Sequence, residues 1–219
     1  MRAIEQTSAA GPATRRLGLW SAVVVVLLSV AYGVALAMGL LSLASPDEPI
    51  GDPLFSILEL LIILLAPVLV VTMAAVHAWA APDQKTFSLV ALIFMSLLAG
   101  LTCSVHFAIL AVGQTRLLSF TWPSIPYAID ILAWDLLFGL SVLFAAPLFG
   151  GDGLARSIRA LLTTSGVLAL GGLVGVPLGD MRLRMIGVVG YAVVFAVAVA
   201  LLALLFYRWP VARERPGHV

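Results

Sequence analysis

Two carboxylic acids interrupt an apolar segment that is long enough to cross a bilayer. The segment covers residues 126–149 and carries Asp130 and Asp135. An ionisable side chain inside hydrocarbon costs at least about 2.5 kcal/mol, so such residues usually have a partner or a function. The two aspartates are therefore the first candidates for chemistry in this chain.

The spacing of the aspartates argues against a tight carboxylate dyad. Five residues correspond to about 140° around a regular α-helix, so the two side chains are expected on different faces. Tyr127 and Trp134 share a face with Asp130 by their i,i+3 and i,i+4 spacing. Asp135 then needs its own partner on a neighbouring helix, such as a hydroxyl group or a contact with small residues.

Further polar side chains fall at a similar depth when residues are counted from the turns. Glu59 lies about 24 residues before the turn at 83–84 and His106 about 23 residues after it, so the two should be level. Asp130 and Tyr191 reach a similar level, and Asp135 lies roughly 7 Å deeper. We therefore predict a pocket for a small molecule or lipid, lined by Glu59, His106, Tyr127, Asp130, Trp134, Asp135 and Tyr191.

Structural alternatives exist for the ionisable members of this set. Glu59 and Asp130 are shallow enough to reach headgroup water. Asp135 could serve only as a hydrogen bond between helices, and His106 could be a packed, hydrogen-bonded histidine.

Metal and cofactor chemistry is only weakly indicated. One histidine with dispersed acids is a poor zinc signature, so no metal is predicted. His77 and His106 differ in depth by about 24 Å, too far apart for a haem held by both. The sequence has no Gly-rich phosphate loop and no HExxH helix. No cofactor and no catalytic residue is therefore assigned.

Composition places the chain in a membrane. Hydrophobic residues make up 62% and charged residues 11%, whereas soluble domains are about a quarter charged. The formal net charge is +1 and there is no basic run, so a nucleic-acid partner is not expected. Lys85 is the single lysine among twelve basic residues, a bias that suggests a GC-rich bacterial genome and hence a bacterial inner membrane.

The apolar runs predict an all-α, polytopic bundle of six transmembrane helices. The first run has 28 residues, more than a signal peptide needs, and is read as an uncleaved span. Gly33 with Ala37, and Gly187 with Gly190, should allow close helix approach. The spans are expected at about 17–44, 54–81, 86–112, 126–149, 154–178 and 185–207, between a flexible N-terminal tail, 1–16, and a C-terminal tail, 209–219.

Basic residues in the loops predict the orientation. If the N-terminus is inside, nine arginines and lysines fall on the cytoplasmic side and three on the other, which favours cytoplasmic positions for both termini. Arg182 and Arg184 then lie at the outer mouth, where we interpret them as interface anchors.

Three classes of function remain open from the sequence. The first is binding or transport of a small molecule or lipid, including proton-coupled transport. The second is a non-catalytic accessory or assembly subunit, whose polar residues only fix the helix packing. The third is an enzyme acting on lipid, with His106 as general base. Expected partners are membrane lipid and either another membrane protein or a second copy of the chain.

Overall fold

The described residues of this chain form helices and the loops that join them. The computed structural model describes residues 11–45, 48, 50–113, 118–151 and 153–209, and no strand occurs in those ranges. The all-α prediction is confirmed for the described residues, and six helices are long and apolar enough to cross a membrane, which is compatible with a multi-pass protein. They are α1 (Pro12–Leu41), α2 (Leu54–Trp79), α3 (Pro82–Val112), α4 (Ile125–Leu148), α5 (Leu154–Leu178) and α6 (Met181–Arg208).

Helix α1 begins at Pro12, five residues before the predicted start, so part of the predicted tail is helical. Proline is well tolerated in a first helical turn. The Arg15 guanidinium also holds this end in place: Nε donates to the carbonyl oxygen of Phe206 at 2.9 Å and Nη2 to that of Tyr207 at 2.6 Å. The predicted tails at residues 1–10 and 210–219 lie outside the described residues.

The six helices form a closed ring. Each packs against the next in sequence, and α6 returns to pack against α1. Aromatic rings fill the centre, where Phe138 of α4 meets Phe195 of α6 edge-on with centroids 4.9 Å apart. The outer faces carry large apolar side chains such as Trp20 and Leu27, 64% and 63% exposed, which suits a surface covered by lipid.

Two helices leave regular α geometry in the same part of the bundle. Helix α4 is π-helical over Leu132–Leu137, and α6 over Val189–Val194. A π turn bonds residue i to i+5 and so changes which side chains align. The regular helix geometry that underlies the spacing argument for Asp130 and Asp135 therefore does not hold in this part of α4.

Glycines allow a close approach of α4 and α5. A Cβ atom at Gly166 would lie 2.6 Å from Cγ of Leu143 and 2.9 Å from the carbonyl oxygen of Gly139. Gly190 is similarly tight, with the carbonyl oxygen of Ser165 2.8 Å from the position of a Cβ. Gly33 has no atom within 4 Å of that position, so its predicted part in helix packing was wrong.

Gly166→Ala should therefore destabilise the protein. The new methyl group would meet a backbone oxygen that cannot move aside cheaply, and overpacking of this kind costs about 1–3 kcal/mol. The measurement is the midpoint of thermal unfolding in detergent. Gly33→Ala is the matched control and should be neutral or slightly stabilising, since its surroundings are open. Equal stability of the Gly166 variant and the wild type would contradict the close approach.

Candidate functional site

Charged side chains from four helices meet near one end of the bundle. They come from the start of α2, the end of α3, the first half of α4 and the start of α6, and each is no more than 7% exposed. We call these five residues the charged cluster: Glu59, His106, Asp130, Asp135 and Arg184.

His106 joins two acids of the cluster. Its Nδ1 lies 2.8 Å from Oε2 of Glu59, and its Nε2 lies 3.3 Å from Oδ1 of Asp130. These contacts agree with the equal depth estimated from the sequence. They also connect α2, α3 and α4 through one imidazole ring.

Arg184 joins both aspartates. Its Nη2 donates to Oδ2 of Asp130 at 2.5 Å, and its Nε donates to Oδ2 of Asp135 at 3.0 Å. The interpretation of Arg184 as an exposed anchor at the outer mouth was therefore wrong, because its side chain turns into the bundle. The available signal was charge: three buried acids and one histidine call for a further cation, and arginine is the residue best suited to buried ion pairs.

The π-helical segment of α4 explains how one guanidinium reaches both aspartates. On a regular helix residues five apart are about 140° apart, whereas i and i+5 align across a π turn. Asp130 precedes the π segment and Asp135 lies within it. The expectation that the two side chains cannot serve one place was thus wrong, although each binds a different nitrogen of Arg184.

Two glycines leave the space that the Asp135 carboxyl group occupies. A Cβ atom would lie 2.2 Å from Oδ1 of Asp135 if placed at Gly187, and 2.8 Å from it if placed at Gly172. Asp135 is fully buried, and its Oδ1 has no hydrogen-bond partner among the described residues. The contact with small residues that the sequence predicts for Asp135 is present.

Aromatic residues surround the cluster, including the three predicted at this site. The Tyr127 ring lies 4.7 Å from Cζ of Arg184, a cation–π contact. Phe120 packs on both His106 and Tyr127, with centroids 5.3 Å from each. Trp134 and Tyr191 pack on each other, also at 5.3 Å. The tyrosines thus lie beside the ion pairs.

The pocket predicted from the sequence is a closed arrangement in this structure. The acids, the imidazole and the guanidinium touch directly, and their low exposure leaves little room for water between them. A cavity of about 10 Å³ lies elsewhere, among α2, α4, α5 and α6. Its lining includes Leu69, Val76 and Phe195. A pocket open to the outside therefore stays a prediction. Among the described residues, no three His, Cys, Asp or Glu side chains are placed to hold a metal ion.

The hydrogen bonds determine the smallest number of protons that the cluster holds. Both nitrogens of His106 face carboxyl oxygens, and a neutral imidazole can donate from only one of them. The array of Glu59, His106 and Asp130 therefore needs two protons for its two bonds, and its net charge is then −1. Arg184 balances that charge, and Asp135 remains as the acid without a counter-charge.

Arg184→Gln should strongly destabilise the fold, because it leaves two buried carboxyl groups without their cation. Removing one partner of a buried ion pair costs about 3–5 kcal/mol. The measurement is the free energy of unfolding in detergent. The control is Arg182→Gln, an exposed residue two positions away, which should change stability by about 0.5 kcal/mol or less.

Adding Asp135→Asn to the Arg184 variant should restore part of the lost stability, because one of the unpaired charges is then gone. If Arg184→Gln lowers the free energy of unfolding by no more than Arg182→Gln does, that result would contradict the ion pairs of Arg184.

No family model, curated protein or solved structure matches this chain.

Proposed function

We propose that this chain is a membrane carrier that binds protons at the charged cluster and couples them to the binding or transport of a small molecule or lipid. The observation that supports this most directly is the His106 imidazole, hydrogen-bonded on both sides to buried carboxyl groups. Chains of Asp, Glu and His inside membrane helices are typical of proton relays in pumps and transporters.

Coupling follows from what a proton does to the cluster. Loss of a proton from the array of Glu59, His106 and Asp130 breaks one of the two bonds to the imidazole. A second uncompensated negative charge then stands in a buried site, where a charge without its partner is costly. Contacts between α2, α3 and α4 would rearrange to relieve it. A ligand that prefers one of the two arrangements is thereby linked to the proton.

Geometry makes the enzyme hypothesis less attractive. A general base needs a ring nitrogen within reach of the substrate, whereas carboxyl groups occupy both nitrogens of His106. The accessory-subunit hypothesis remains the second candidate, since direct and buried ion pairs would also serve to fix the relation of four helices. The two candidates differ in whether His106 exchanges protons with the medium.

The proposal includes an orientation with both termini in the cytoplasm. It is supported by the excess of arginine and lysine, nine against three, in the segments assigned to that side. The charged cluster then lies in the outer half of the membrane, where protons from the outside would reach it first.

Cysteine labelling tests the orientation. In a Cys103→Ala background, the variant Asp180→Cys should react with an impermeant maleimide added to intact cells. Asp180 is exposed in the loop between α5 and α6, which faces outward in this orientation. The control is Asp83→Cys in the same background. Asp83 is exposed in the turn between α2 and α3, at the other end of the bundle, and its cysteine variant should react only after the membrane is broken. The reverse result would overturn the orientation.

Substitution of His106 tests proton binding. Glutamine keeps a polar side chain at this position but cannot carry the charge of an imidazolium. In reconstituted wild type, a pH jump should produce infrared difference bands from imidazole and carboxyl groups, and His106→Gln should lose them. Proton flux into proteoliposomes should fall by about 10²-fold or more in the same variant.

His77→Gln is the matched control. His77 also lies in a spanning helix, but it bonds to Ser88 at the other end of the bundle, with Nδ1 2.8 Å from Oγ. Its substitution should remove only the imidazole bands of His77 itself and leave the carboxyl bands and the proton flux unchanged. A folded His106→Gln protein with the wild-type bands and flux would refute the proposal and favour the accessory role.

A further inference from the structure

A second set of polar atoms lies one helical turn deeper than His106 and Asp130, near the level of Asp135. Helices α3 and α4 run antiparallel in register, because His106 bonds to Asp130 while Ser141 bonds to the carbonyl of Ala91 further along. Thr102 precedes His106 by four residues, and Trp134 follows Asp130 by four. Thr102 and Trp134 therefore occupy a similar level on facing helices, about 6 Å below His106 and Asp130.

Both side chains carry an unpaired polar atom. Thr102 is 1% and Trp134 5% exposed, and neither Oγ1 of the threonine nor Nε1 of the indole has a hydrogen-bond partner in the described part of the chain. Buried groups of this kind are normally satisfied by protein atoms or by ordered water. Two of them at one level call for a common explanation.

Helix α2 supplies a backbone acceptor at this level. Pro67 has no N–H group, so the carbonyl of Ile63, four residues earlier, lacks its usual intrahelical donor. Ile63 follows Glu59 by four residues, so it lies one turn deeper than Glu59, as Thr102 lies one turn deeper than His106. The thiol of Cys103, a weak donor, lies 3.7 Å from this carbonyl oxygen.

We propose that Trp134, Thr102 and the Ile63 carbonyl form a binding site for an internal water molecule. The indole N–H can only donate, the carbonyl can only accept, and the threonine hydroxyl can do both. One water satisfies all three, since it accepts from the indole and donates to the carbonyl and the hydroxyl.

This site extends the cluster toward the other side of the bundle. The site lies one turn below the array of Glu59, His106 and Asp130. The water site itself does not depend on whether His106 exchanges protons.

The indole N–H of Trp134 reports on the water directly. The full chain, with ¹⁵N-labelled tryptophan, is placed in lipid nanodiscs, and NMR cross-peaks between the indole protons and water are recorded. The chain has five tryptophans, and Trp134→Phe identifies the signal by removing it while keeping an aromatic ring. We expect a cross-peak to water at Trp134 despite its burial.

Thr102→Val should abolish that cross-peak and Thr102→Ser should keep it. Thr72→Val is the control, because this hydroxyl is also buried but bonds within its own helix to the Val68 carbonyl at 3.0 Å. A wild-type Trp134 indole without a water cross-peak, or one that is unaffected by Thr102→Val, would overturn the water site.

The two proposals can fail separately. His106→Gln should retain the cross-peak at Trp134, because it leaves the deeper level intact. Conversely, Thr102→Val should keep the pH-dependent infrared bands of the cluster, because it leaves Glu59, His106 and Asp130 unchanged.

Discussion

The structure depends on one arginine that two buried aspartates share. Arg184 lies near the start of α6 and binds Asp130 and Asp135, both of α4. Without it, the acids on α2 and α4 would have only an imidazole to offset them. The cost of charges in a low-dielectric interior is met only when each has a close partner with good geometry. This requirement fixes the distance and the rotation of α6 relative to α4.

Irregular backbone and small residues make that arrangement possible. The π-helical segment Leu132–Leu137 brings two side chains five residues apart toward one guanidinium. Gly172 and Gly187 leave the space that Oδ1 of Asp135 occupies. A second π-helical segment, Val189–Val194, follows in α6 and contains Tyr191, which packs on Trp134. Both departures from ideal helix geometry thus lie beside ionisable side chains. Such π segments are frequently found at functional sites.

The sequence predicts the scaffold well and the cluster only in part. Apolar runs longer than a bilayer is thick leave little freedom in the number of helices. Counting along straight helices also places Glu59 level with His106, and the two side chains are in contact in the structure. The same counting failed for Asp135 and Arg184, because it assumes 100° per residue and takes a basic residue at a helix end to face water. A π turn is set by packing between helices, and no local residue pattern predicted it.

The contact of Arg15 with the end of α6 has a consequence for biosynthesis. Helix α1 packs only on α2 and α6 among its principal neighbours, and its arginine binds carbonyl oxygens at Phe206 and Tyr207, almost two hundred residues later. Because α6 follows α1 in the chain, these contacts can form only after α6 has been synthesised. The ring of six helices therefore closes late, when the guanidinium of Arg15 binds the two carbonyl oxygens of α6.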